Sequence, residues 1–335
     1  MLCRVADSLF WMSRYIERAE NTARLMDVNL QMVLESEQAG GEGWKAHWEA
    51  ILRSTGDLDL FNQHFNHVDS ASVTEFLTFS LDNPSSVISC INAARENARQ
   101  IRDQITSEMW EVINRLYLSL KGQNALTVWN QGPTEFYNQI KEFTHLFHGL
   151  TDSTFPRGTG YEFMRAGTFL ERAEKTGRIL DIKYWIVLPS LHEVGGAVDL
   201  SQWAALLRAT SALDAYRWEY VREIEPCNVA ELLVLSRKFP RSIRFCLEQY
   251  DTAIHNISKC PQTHYSNEAE RLSGKLLSDL NYTTADEIIT LGIHEFLESV
   301  QAKLGQLGIE LNERYMFFPV VDPAAEATAK ANATA

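Results

Sequence analysis

Two Glu-Arg pairs, Glu17 with Arg18 and Glu171 with Arg172, sit in nearly the same surroundings at distant places in the chain. A carboxylate beside a guanidinium suits two tasks: a general acid or base, or half of an ion-pair network. Glu20 with Arg24, and Glu174 with Arg178, add i, i+4 pairs with the acid N-terminal, an arrangement worth about 0.2–0.5 kcal/mol on an exposed helix. Arg18 has Trp11, Tyr15, Thr22 and Leu25 on its helical flank, and Arg172 has Phe169, Thr176 and Ile179. Both guanidiniums are therefore expected to be partly buried and to need a carboxylate, a carbonyl or a bound anion. An internal Arg-Glu network and a ligand site both satisfy that need. If either acid works on a proton, Glu17 and Glu171 are the candidates.

A second group follows Pro84. Val87, Ile91, Ala94, Ala98, Ile101, Ile105 and Val112 mark one face of a single long helix that Pro84 is placed to begin. Arg95, Arg99 and Arg102 then fall at i, i+4 and i+7, with Glu96 and Asp103 on the adjacent stripe and Trp110 and Asn114 further along. Stacked like charges call for acids or an anionic ligand between them, and planar guanidiniums suit phosphates and carboxylates. A solvated charged face is the plainer alternative.

Other signatures are absent: the sequence has no GxxxxGK[ST], HExxH, GxSxG or GxGxxG pattern. Arg157 before Gly158 and Gly160 reads as a turn, with phosphate holding at a helix start as the lesser reading. His64 with His67, and His145 with His148, have the i, i+3 spacing of ligand pairs, but no third ligand can be named, so no metal is expected. Five widely spaced cysteines without a Cys-x-x-Cys pair read as reduced structural thiols.

The elements that must position these residues are helical. Leu9, Ile16, Ala23 and Leu30 recur every seven residues, as do Met12, Ala19, Met26 and Val33, giving the seam of a bundle helix. Further helices are predicted near 44–54, 57–66, 72–80, 134–149, 160–187, 200–219, 228–236, 240–257, 266–280 and 286–307, and no strand is. Residues 15–28 and 169–182 share 7 of 14 positions at an offset of 154. The match continues from 48–61 to 203–216, and from Pro84, Ser86 and Cys90 to Pro240, Ser242 and Cys246. An all-α bundle of two copies of a roughly 155-residue unit follows, 1–155 and 156–320, packed as one pseudo-symmetric domain or as two, with a frayed tail over 321–335. The places equivalent to the arginine stripe hold Asp251, His255 and Ser258, so the stripe is not required by the repeat.

With 31 basic against 44 acidic residues the net charge is −13, which opposes binding to nucleic acid or an anionic membrane over the whole surface. No apolar run approaches a membrane span, and Arg4 and Asp7 interrupt the stretch a leader would need, so the chain is expected in the cytoplasm.

RYIERAENTAR at 14–24, ARENARQIRDQITSEMWEVIN at 94–114 and LERAEKTGRILDIKYW at 170–185 together resemble the alpha-E family of bacterial all-helical proteins, over almost the whole chain. Proteins of that family are commonly encoded beside, or fused to, a circularly permuted ATP-grasp ligase, often with a transglutaminase-like protein nearby. The resemblance implies peptide or amide-bond metabolism, with ATP and magnesium on the partner ligase and no cofactor on this chain. It places the family's motif positions on Glu17, Arg18, Glu20 and Arg24; on Arg95, Glu96, Arg99, Arg102, Asp103, Trp110 and Asn114; and on Glu171, Arg172, Glu174 and Arg178. The leading expectation is an accessory or co-catalytic subunit of an ATP-grasp amidoligase that uses these residues for docking or to hold an anionic peptide. A stand-alone hydrolase or transferase of amide bonds and a purely structural assembly protein are the alternatives.

Overall fold

The computed structural model describes residues 1–37, 44–186, 195–220 and 223–316. In chain order its α-helices are α1 (Cys3–Glu37), α2 (Trp44–Thr55), α3 (Leu58–His64), α4 (Ser70–Thr74), α5 (Val87–Gln100), α6 (Ser107–Leu120), α7 (Ala125–Gln131) and α8 (Pro133–Thr154). They continue as α9 (Thr159–Trp185), α10 (Ala197–Ala209), α11 (Leu213–Glu219), α12 (Pro226–Ala230), α13 (Ile243–Ser258), α14 (Glu268–Tyr282), α15 (Ala285–Leu291) and α16 (Ile293–Tyr315). No strand occurs among the described residues, and the expected tail at 321–335 lies outside them.

The centre is the pair α1 and α9, which pack along each other more extensively than any other two helices. All eight seam residues of α1, from Leu9 to Val33, are buried. The close approach depends on Gly167, where a Cβ would lie 2.3 Å from the carbonyl oxygen of Phe10. Helices α5 and α8 cover the far side of α1, while α13, α2 and α16 cover α9.

Segments matched in sequence have matched local structure. A π-helical turn follows α4 at Glu75–Phe79 and another follows α12 at Glu231–Leu235. Ser86 and Ser242 then cap α5 and α13 by accepting from Ser89 N and Phe245 N, while their hydroxyls donate to the carbonyls of Ser80 and Ser236. Gly132 and Gly292, at φ +92° and +104°, make the sharp joints into α8 and α16.

Several predicted helices are shorter than their apolar periodicity. The helix after Pro84 stops at Gln100, and a turn over 101–106 leads to α6, whose cap Thr106 accepts from Met109 N at 3.3 Å. Ile101 and Ile105 stay buried within the turn, so the apolar pattern runs across the break. Ser211, at φ +56°, divides 200–219 into α10 and α11, and Gly292 divides 286–307 into α15 and α16. Helix α7 was not expected; Asn124 and Thr127 form its capping box.

Candidate functional site

The facing surfaces of α1 and α9 carry an ion-pair network at their middle. Arg172 donates from Nε and Nη2 to the two oxygens of Glu17, both at 2.8 Å. In the opposite direction Arg18 donates to Glu171 at 2.6 and 3.0 Å, and Arg14 donates to Glu171 and Glu174, both at 2.7 Å. Arg241, from the turn before α13, reaches Glu17 at 3.1 Å and also pairs with Glu20. Its backbone is fixed to α9 by the hydroxyl of Thr176, which donates to the Arg241 carbonyl at 2.8 Å. Arg24 donates to Glu20 and to Nε2 of His145, both at 2.8 Å.

Burial alone would raise the pKa of Glu17, but Arg172 and Arg241, with hydrogen bonds from Arg172, hold it well below the ordinary carboxylate range. Burial is likewise outweighed at Glu20, chiefly by Arg241, and at Glu171, by Arg14 and Arg18. Glu174 differs: burial prevails over Arg14 and its pKa rises. Carboxylates saturated and depressed in this way are poor proton carriers near neutrality, which weighs against Glu17 or Glu171 as general acid or base.

The two ends of the network are not alike. At the Glu171 end Arg14 fills the space, lying against Gly308 of α16. At the Glu17 end the residue matched to Arg14 is Thr168 (168 − 14 = 154), and the residue of α8 that corresponds to Gly308, counted from the joints Gly132 and Gly292, is His148. An open cleft of about 500 Å³ results there, bounded by Glu20, His145, His148, Thr168, Arg172 and Arg241 and widening towards Tyr161, Arg165 and Gln249.

Of the residues singled out in the sequence, Glu17, Arg18, Glu20, Arg24, Glu171, Arg172 and Glu174 meet in this network. Arg178 does not: the expected pair with Glu174 is replaced by Arg14 on Glu174, while Arg178 donates to the carbonyls of Ser54 and Thr55 at 3.2 and 3.4 Å. The other group lies elsewhere, on α5 and α6. Arg95 donates to Asn114 and Glu96 at 2.8 and 2.9 Å and stacks on Tyr117 and Trp110, and Arg99 pairs with Glu96 at 2.8 Å. Arg102 and Asp103 fall in the turn rather than on a helical stripe, and Arg102 lies 5.1 Å from the Trp110 ring centre. This correction follows from the break after Gln100. Arg14, Arg241 and Thr168 were missed; the one available signal was the mismatch of Arg14 with Thr168 at the edge of the repeated motif.

Glu17, Glu20 and His148 bring ligand-type atoms within 4.8 Å of one another, a group that holds one member of the histidine pair and not His145. A cation there would compete with Arg172 and Arg241 for Glu17, and with Arg24 and Arg241 for Glu20, so the donor set fits a metal poorly.

Fold and site together define an all-helical protein whose central helices are joined by reciprocal Glu-Arg pairs. Over residues 1–316 the chain matches the model of the Alpha-E family, described as a predicted alpha-helical domain with a conserved ER motif, and it belongs to that family. It is 22% identical over 339 residues to an uncharacterised protein of Mycobacterium bovis, and 22% and 21% identical to uncharacterised proteins of two Mycobacterium tuberculosis strains. These alignments cover 94% of this chain but 37% of each relative, so the chain spans little more than a third of the curated relatives' length. No solved structure matches it. No described helix is long and apolar enough to cross a membrane.

Proposed function

We propose that the chain is a helical accessory module of a cytoplasmic amide-bond-forming system. It acts beside an ATP-grasp ligase that carries ATP and magnesium, and in some settings beside a transglutaminase-like protein. The observation that carries this reading is the cleft at the Glu17 end of the Arg-Glu network, where Thr168 stands in the place that Arg14 fills at the other end. An ion-pair network serving stability alone has no need of that opening, whereas substrate holding does. Its guanidiniums suit an anionic substrate such as an acidic peptide. The exposed Arg99 and Arg102 beside Trp110 offer the docking surface, because Arg95 is already held by Asn114 and Glu96. The relatives' greater length accords with a module that works alongside other protein segments.

The test is affinity purification of the tagged chain from its own cells at low salt. An ATP-grasp ligase is expected in near-equal amount, and Arg99→Glu with Arg102→Glu should abolish its recovery without changing the melting temperature. Recovery of the chain alone would overturn the docking reading.

A further inference from the structure

Resting on the cleft as the binding site, we infer that its ligand is an amino-acid end group: a carboxylate with an N–H donor on the neighbouring carbon, as in a free amino acid or the last residue of a peptide. The first ground is charge. At the closed end Arg14 and Arg18 pair with Glu171 and Glu174, and the buried Lys175 beside Glu171 has Asp57 as a further acid. At the open end Arg24, Arg172 and Arg241 pair with Glu17 and Glu20, and Asp152 on the cleft wall is held by Arg157, which leaves one guanidinium for a carboxylate to pair with.

The second ground is a bare acceptor. Arg24 and Arg241 donate to the same oxygen of Glu20, its Oε1, while Oε2 is buried with no hydrogen-bond partner. Glu174 is the residue matched to Glu20, and there Arg14 supplies the corresponding bond at 2.7 Å. With Thr168 in place of Arg14, the donor is missing from the cleft. A buried carboxylate oxygen without a donor is costly, so the ligand supplies an N–H where the other end has a guanidinium. An anion without a donor would meet Glu20 Oε2 unfavourably, and a simple cation would meet the surplus guanidinium. A group with both features satisfies both walls.

Isothermal titration calorimetry on the full chain tests this, with alanine, alanylalanine, alanylalaninamide and acetate as probes. Alanine or alanylalanine is expected to bind saturably, and the amide and acetate at least about ten-fold more weakly, the scale of one lost charged hydrogen bond. The tighter of the first two distinguishes a free amino acid from a peptide end. Thr168→Arg, which copies the closed end, should remove the heat while the melting temperature holds. Thr168→Met fills the space without charge and should do the same should the arginine variant fail to fold. Equal binding of acetate or the amide, no binding by any probe, or unchanged binding in a folded Thr168 variant would each overturn the inference. These heats do not depend on a ligase, so a failed co-purification and a failed titration are separate results.

Discussion

At the scale of single residues, Glu17 is the junction of the molecule. It is fully buried and takes hydrogen bonds from Arg172 on α9 and Arg241 before α13. Glu17→Gln keeps the shape but removes the charge, leaving two guanidiniums buried beside a neutral amide. Breaking a buried pair from one side costs about 3–5 kcal/mol, so the urea midpoint should fall accordingly, and Arg18→Ala at the other end should do likewise; a variant as stable as the parent would show that the network contributes nothing. The two Glu-Arg pairs and the burial of their guanidiniums were legible in the sequence because each pair lies within one helix, among apolar neighbours at helical spacing. Arg241 was not, since it meets Glu17 across 224 positions and sits in a turn whose counterpart, Ser85, carries no charge.

At the scale of elements, the α1 and α9 crossing is set by backbone contact. A methyl at Gly167 would strike the Phe10 carbonyl, which cannot swing aside as a side-chain tip would, so Gly167→Ala must push the helices apart. We expect a loss of about 1–3 kcal/mol, typical of overpacking, read as a lower melting temperature. Gly149 is the control: it lies within α8 with open space around its missing Cβ, and Gly149→Ala should stabilise the chain by about 0.5–1 kcal/mol through helix propensity. Equal responses at the two sites would refute the packing account. Helical type was legible where heptad spacing carries it, and not at α7, a helix of seven residues too short to show the repeat. The breaks after Gln100 and at Ser211 were not, because buried side chains continue across them and preserve the apolar pattern that marks a helix.

At the scale of the whole molecule, the network and the net charge act in opposite directions as pH falls. Glu17, Glu20 and Glu171 are held below their ordinary value of 4.5 in the folded chain. Around and below that value the unfolded chain binds protons on these groups while the folded chain does not, so their stabilisation is present above 4.5 and is lost as pH drops. Glu174 runs the other way, since its raised pKa makes the folded chain bind its proton first, but it is one group against three. The surface carries a net charge of −13 at pH 7 and reaches neutrality near pH 5.2, so acidification to that point relieves general repulsion. Stability should therefore rise gently from pH 7 to about 5, then fall steeply from about 4.5 downward as the buried carboxylates dominate. Salt separates the two limbs: exposed charges are screened within about 8 Å at physiological ionic strength, and buried pairs much less. Urea midpoints measured across this range with added sodium chloride should lose the shallow rise and keep the acid fall. A fall that salt abolishes would place the stabilising charges on the surface instead of between α1 and α9.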